Sequence, residues 1–356
     1  MKILTVVGAR PQFVKAAVVS HALKNKHTEI LVHTGQHFDR NMSETFFEEL
    51  SIPAPNYNLG ISGGSHAQMT GRMMMAIEEV LIKEEPEWVL LYGDTNSTIA
   101  AALSAVKLRI KVCHVEAGAR FHVMSNPEEI NRICTDHIST KLLACTESNM
   151  CELQREGLSD RAALVGDPMY DAFCEYSSKT HISNIKLKLL DGDECNVPNS
   201  FYYLTCHREE NTIKENALKE IFDAMNNLEY YTVYPVHPRN RDRAIRLKNE
   251  YGYANILLTE PVGYLESVAL VKNAKAVVTD SGGLQREAFF AEKKCVTVLD
   301  FVVWPETMVD NRNQLCRPIA NELLKCLDNK QSIDKTYLPF GDGNAAKRIV
   351  DEIEKS

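Results

Sequence analysis

None of the ten cysteines stands in a CxxC pair, and no Cys/His cluster has the spacing of a zinc site. Cys113, Cys134, Cys145, Cys151, Cys174, Cys195, Cys206, Cys295, Cys316 and Cys326 mostly sit in apolar stretches such as Val112-Cys113-His114 and Lys294-Cys295-Val296. They read as reduced thiols used as small hydrophobes, and neither a disulfide framework nor a metal centre is expected. A GxGxxG fingerprint is missing from the first strand–helix turn, which disfavours an NAD-dependent dehydrogenase. No apolar run approaches bilayer length. The opening Met1–Gly8 is apolar but is broken by Arg10 and Pro11, so it is neither signal peptide nor span, and no membrane partner and a cytoplasmic location are expected. Net positive charge is lacking too. A balance of -8 argues against a nucleic-acid surface, which needs a concentrated positive field, yet permits a small anion in one local basic pocket. There is no tandem repeat and no low-complexity segment.

What is present is the rhythm of an α/β protein. The 356 residues suit two domains, and 44% hydrophobic with 25% charged residues is ordinary for a globular enzyme. Short apolar runs rich in β-branched residues recur at Ile3–Val7, Ile30–His33, Val89–Tyr92, Val112–Val115, Leu142–Cys145 and Ala163–Val165. They recur again at Phe201–Leu204, Thr232–Pro235, Ile256–Leu258, Ala276–Val278 and Val296–Leu299. Helical spacing marks Pro11 to Lys24, Ala67–Ile82 and Ser97–Leu108. Strands alternating with helices predict parallel sheets covered on both faces. The rhythm weakens in the polar stretch from Ser177 to Asn199, and the connection is placed near Gly166–Tyr170. The expected domains are residues 1–168, completed by a final helix at 343–356, and residues 169–342. Two Rossmann-like, doubly wound domains place the ligand in the cleft between them by default.

Ligands of doubly wound sheets meet the loops at the carboxyl ends of the strands, and the unusual residues cluster there. After the first strand, Arg10 stands at a helix start made for anions, with Lys15 a turn further on; a plain surface pair is the simpler alternative. Asp94, in Tyr92-Gly93-Asp94-Thr95-Asn96-Ser97-Thr98, reads equally as a helix cap or as a catalyst. Glu116 leaves an apolar strand directly, so its carboxylate is expected to be partly buried and therefore used or paired. In Asn126-Pro127-Glu128-Glu129, acids in a first helical turn complement the dipole, which explains Glu129 better than Glu128. In the second half, His207-Arg208 and His237-Pro238-Arg239 stand at strand tips. Asp280-Ser281-Gly282-Gly283 opens a helix whose free N–H groups would cradle an anion, and Glu287 follows a turn later, in reach of vicinal ribose hydroxyls.

Together these segments resemble the non-hydrolysing UDP-N-acetylglucosamine 2-epimerase family. The resemblance is carried by GARPQFVKA at Gly8–Ala16, HTGQH at His33–His37, GDTNST at Gly93–Thr98, HVEAG at His114–Gly118 and PEEINR at Pro127–Arg132. It continues in HREEN at His207–Asn211, VHP at Val236–Pro238, DSGGLQREA at Asp280–Ala288 and GDGNAA at Gly341–Ala346, in order over nearly the whole chain. It implies a glycosyltransferase-B-like fold and a cofactor-free reaction. An anti elimination removes the C2 proton and expels UDP from C1, leaving a 2-acetamidoglycal; UDP then re-adds with protonation on the other face. By this resemblance Asp94, Glu116 and Glu128 are the acid/base carboxylates and His207 lies beside the leaving UDP. Arg10, Lys15 and His237 are assigned to the substrate, Ser281, Gly282 and Gly283 to the pyrophosphate, Glu287 to the ribose, and Tyr264 in the Glu260–Tyr264 loop to uracil. The partner is a UDP-sugar, and a homodimer is expected.

Departures from the family pattern bear on the sugar. Ala9 and Gln12 replace a usual Thr and Glu, as in a subgroup that includes epimerases of UDP-2,3-diacetamido-2,3-dideoxyglucuronate. Glu209 replaces a second Arg. Leu299–Trp304 is mostly apolar where an Arg and polar residues are usual, which implies rebuilt sugar contacts. Phe38–Ser43 lacks the glutamine-bearing helix of members regulated by their substrate. Competing readings are a retaining glycosyltransferase, a hydrolysing epimerase and a non-catalytic UDP-sugar-binding protein. The first does not need acids at Asp94, Glu116 and Glu128 together, and the last conflicts with their retention.

Overall fold

The computed structural model describes residues 1–36, 47–208, 211, 216–302 and 304–355. His37, Phe38–Ser43, Glu209 and Val303, all of which figure in the sequence reading, lie outside the described residues. The chain divides into Met1–Cys174 with Leu338–Ser356, and Glu175–Tyr337.

The first unit runs β1 (Lys2–Val7), α1 (Arg10–Leu23), β2 (Thr28–His33), β3 (Tyr57–Asn58), α2 (His66–Glu84), β4 (Trp88–Tyr92), α3 (Asn96–Lys107), β5 (Lys111–Val115), α4 (Pro127–Ile138), β6 (Lys141–Ala144), α5 (Glu147–Arg155), β7 (Ala162–Leu164) and α6 (Pro168–Tyr176), within which the division falls. Its sheet has the order β3-β2-β1-β4-β5-β6-β7, every pair parallel. The strands are short apolar runs because both faces of the sheet are covered. All five residues of β4 are buried, and Leu4, Val6, Val89 and Leu91 pack against α2 and α3.

The second unit opens with an antiparallel hairpin, β8 (Lys186–Lys188) and β9 (Glu194–Asn196). It continues β10 (Phe201–Thr205), α7 (Ala217–Asn226), β11 (Tyr231–Pro235), α8 (Arg241–Tyr251), β12 (Ile256–Thr259), α9 (Tyr264–Asn273), β13 (Ala276–Thr279), α10 (Gly282–Phe290), β14 (Lys294–Val298), β15 (Asn313–Cys316) and α11 (Ala320–Asp328). Its main sheet, β12-β11-β10-β13-β14-β15, is also all parallel. The final helix, α12 (Ala345–Glu354), belongs to the first unit and packs on α1. Its first turn is fixed by Asp171, whose carboxylate accepts the Ala346 N–H at 2.7 Å.

Both units thus have Rossmann-like winding, in the class expected of a glycosyltransferase-B-like protein. In each sheet the strand order reverses between the first strand and the fourth, at β1/β4 and at β10/β13. Crevices at such points are where doubly wound sheets bind ligands.

Candidate active site

At the switch point of the first unit the loops after β1 and β4 are braced by Gln12. Its Oε1 accepts the N–H groups of Gly8 (2.8 Å) and Ala9 (3.0 Å), and its Nε2 donates to the Tyr92 carbonyl at 2.7 Å and to the Thr98 hydroxyl at 3.0 Å. The side chain is buried. Gln12, which the sequence linked to substrate choice, is therefore committed to holding two loops together. Gly8 is required beside it, because a Cβ there would run into Ser97 Oγ and Thr34 Oγ1.

The acids follow on the neighbouring strand ends. Glu116, directly after β5, is buried and forms an ion pair with Lys15 from α1, itself buried; the two side chains are 4% and 3% exposed. A pair this dry is stabilised only while both charges are present. Lys15, which the sequence assigns to the substrate, is thus held against Glu116. Glu116 also has φ 73°, left-handed for a residue with a Cβ, which costs on the order of 1–3 kcal/mol. The turn is held by the N–H groups of Glu116 and Ala117, which both donate to the Leu143 carbonyl at 3.0 and 3.1 Å.

Asp94 does not cap α3. That role falls to Thr95, whose hydroxyl accepts the Thr98 N–H at 3.3 Å. Asp94 is instead ion-paired with Arg132 of α4, whose guanidinium lies 3.9 Å from the centroid of the Phe121 ring. Asn131 donates to the Asp94 carbonyl at 2.9 Å, so the start of α4, which carries Glu128, is tied to the Asp94 loop. Glu129 is buried and accepts the N–H groups of Phe121 and His122, both at 2.9 Å. Glu128, half-buried, is capped through its own N–H by the Asn126 side chain at 2.9 Å. Arg10 is half-buried at the first position of α1.

Sequence reasoning missed Arg132, Asp136, Arg120 and the role of His114. The spacing was visible in the sequence, but the burial that gives it meaning was not. Glu129, Arg132 and Asp136 recur at helical spacing and are all buried, so the inward face of α4 is charged where an amphipathic helix is normally apolar.

In the second unit, Asp280 organises the strand tips. Its buried carboxylate accepts the N–H groups of His207 and Arg208, each at 2.9 Å, and faces His207 Nδ1 at 3.2 Å. Asn211 adds a bond at 3.2 Å. His207 and His237 stack with centroids 6.1 Å apart. Ser281 caps α10, accepting the Leu284 N–H at 3.4 Å, and Gly282 and Gly283 form the first turn, half-buried. Glu287 is buried one turn on; burial pushes its carboxyl up to about 8, against a lowering by Arg286. Tyr264 is buried at the start of α9, edge-on to Tyr176, and Glu260 in the same loop pairs with Arg241 through two bonds of 2.8 Å. In the variant loop, Trp304 is buried under the Arg286 guanidinium, 4.1 Å from the ring centroid. Among the described residues no group of three or more His, Cys, Asp or Glu side chains could hold a metal, and no helix is long and apolar enough to cross a membrane.

Two Rossmann-like units, one with paired acids and the other with a small-residue helix start at their switch points, define a sugar-nucleotide enzyme class. Residues 21–354 match the family described as UDP-N-acetylglucosamine 2-epimerase, and the chain belongs to that family. It is 45% identical over 357 residues to a UDP-N-acetylglucosamine 2-epimerase homolog of Methanococcus maripaludis, covering 99% of each chain. It is 44% identical over 367 residues to the UDP-2,3-diacetamido-2,3-dideoxy-D-glucuronate 2-epimerase of Pseudomonas aeruginosa, covering all of both. The crystal structure of Methanocaldococcus jannaschii UDP-GlcNAc 2-epimerase, in complex with UDP-GlcNAc and UDP, superposes with a TM-score of 0.90 at 36% identity, again over both whole chains.

Proposed function

We propose that the protein inverts C2 of a UDP-2-acetamido sugar of the UDP-N-acetylglucosamine type. The observation that carries this reading is the placement of Asp94 and Glu116 at adjacent strand ends of one sheet, each paired with a buried cation, with the helix bearing Glu128 tied to the Asp94 loop. Acids at different positions around one sugar suit a reaction that takes a proton from one face of C2 and returns it to the other. In the elimination, a carboxylate takes the C2 proton, the C2–H electrons form the C1=C2 bond, and the C1–O electrons leave with UDP. In the addition, UDP returns to C1 on the face it left, the C1=C2 electrons take a proton at C2 from an acid on the opposite face, and only C2 is inverted. The first unit serves the sugar. The second serves UDP: the Ser281-Gly282-Gly283 start of α10 receives the pyrophosphate with His207 and His237 beside it, and Glu287, buried one turn further along the same helix, suits the ribose diol. The same reading has the enzyme act in the cytoplasm as a homodimer, which sedimentation tests.

The experiment is proton NMR of the reaction in D2O with UDP-N-acetylglucosamine. Deuterium should enter at C2 of the epimer, and product without it overturns the elimination. A second reading takes UDP-2,3-diacetamido-2,3-dideoxyglucuronate as substrate, favoured by the Pseudomonas relative and by the buried Trp304 in the altered loop. Specificity constants for the two sugars decide between them.

A further inference from the structure

The buried face of α4 holds a charge network that the reaction does not itself use. His114, fully buried on β5, places Nδ1 2.7 Å from Asp136 Oδ1 and Nε2 2.7 Å from the Gly93 carbonyl. Both partners are acceptors, so the ring donates from both nitrogens. Asp136 is fully buried as well; its second oxygen accepts the Gly118 N–H at 3.0 Å and Arg120 Nη2 at 2.7 Å. Arg120 continues outward to Glu156 through bonds of 2.7 and 2.8 Å. Burial alone would raise the Asp136 carboxyl, but the charge and hydrogen bonds of His114 and Arg120 outweigh it and hold it below the usual range.

Its reach matters. Gly93 directly precedes Asp94, and Gly118 lies just beyond Glu116. Both glycines are left-handed, at φ 63° and 79°, as is Glu116 between them in the sequence. One carboxylate therefore fixes, through one imidazole and one backbone N–H, the two turns that aim the two acids.

We propose that Asp136, acting through His114 and Gly118, is a positioning residue that sets Asp94 and Glu116 relative to each other for proton transfer at C2. This rests on the function proposed above. A misplacement of about 1 Å in such a constellation costs on the order of a hundredfold in rate, while the nucleotide contacts lie on other elements.

The test is Asp136→Asn in the full chain, with Arg120→Lys as a milder variant that loosens Asp136 without removing it. Turnover of UDP-N-acetylglucosamine and of the diacetamido uronate is expressed per UDP-binding site, counted by calorimetry, so that unfolded protein drops out. Asp136→Asn should lower kcat at least tenfold, and Arg120→Lys severalfold, with the UDP Kd unchanged. A merely structural role would lower the number of UDP sites and the Tm but leave kcat per site at the parent value, and that result overturns the proposal. If Asp136→Asn yields no folded protein, parent-like kcat per site in Arg120→Lys overturns it. Should the parent itself epimerise neither sugar, the functional reading fails instead.

Discussion

Replacing Glu116 by Gln separates the catalytic from the structural part of the argument. The side chains of Glu116 and Lys15 are nearly dry, so the substitution leaves a buried ammonium facing an amide in place of a carboxylate. Breaking a buried pair by removing one partner costs roughly 3–5 kcal/mol. The Gln amide oxygen still accepts from Lys15, which places the expected loss near the lower end, about 3 kcal/mol. For a unit of this size that corresponds to a Tm lowered by ~6–12 °C. Turnover should fall by about two to four orders of magnitude, the usual worth of a positioned acid/base group.

The double variant Lys15→Met/Glu116→Met removes both charges and leaves no buried polar head without a partner. Apolar replacement of a whole buried pair is often neutral, so the double variant should recover at least half of the lost Tm while its turnover stays low. Scanning calorimetry and a coupled UDP-sugar assay on the same preparations read both effects. An E116Q protein that melts within a degree of the parent would refute the ion-pair reasoning. One that melts lower but turns over at the parent rate would refute the acid/base assignment, and Asp94 would take its place.

Other outcomes follow from the same geometry. The Glu287 carboxyl, raised by burial from 4.5 to about 8, binds its proton more tightly in the folded protein, so its stability contribution is complete below about pH 4.5 and is lost as pH rises to about 8; the Tm of Glu287→Gln should gain on that of the parent between pH 5 and 8, and a constant difference contradicts this. Gln12→Glu removes the donor to the Tyr92 carbonyl and should cost about 1–3 kcal/mol in urea unfolding, with the preference between the two UDP-sugars unchanged; a changed preference would return Gln12 to the substrate. Turnover should persist in EDTA and without added nicotinamide, and dependence on either, measured in dialysed enzyme, contradicts the proposed chemistry.

The sheets were legible in the sequence because their central strands are apolar runs covered on both faces. What escaped was structure without that pattern. Tyr57–Asn58 is a two-residue edge strand, β8 and β9 carry exposed lysine, glutamate and asparagine, and β15 reads Asn-Gln-Leu-Cys. The candidate site was legible at the level of strand ends, since acids and histidines following apolar strands fall at the carboxyl edge of a parallel sheet. Their partners were not. The pairing of Lys15 with Glu116 emerges only when β1 and β5 share one sheet and α1 brings the two side chains together. Arg132 and Asp136 looked like the ordinary polar face of a helix, and only the burial of that face reveals their use.

The local sequence left each candidate acid with an ordinary structural alternative, and the structure resolves several of these by showing which neighbour performs the structural task. Thr95 caps α3 next to Asp94. Glu129 gathers the backbone N–H groups next to Glu128. Gln12 closes the loop below Arg10, and Asp280 holds the strand tip on which His207 stands. In every pair one residue is consumed by the backbone and the other is held beside it by that same framework. A side chain needed for a cap or a turn cannot also move a proton without loosening its own support. The division of labour therefore favours Asp94, Glu128 and His207 over their neighbours as the groups that meet substrate. It also gives a way to tell the two kinds apart: alanine at Thr95 or Glu129 should lower stability first, whereas at Glu128 it should lower turnover first.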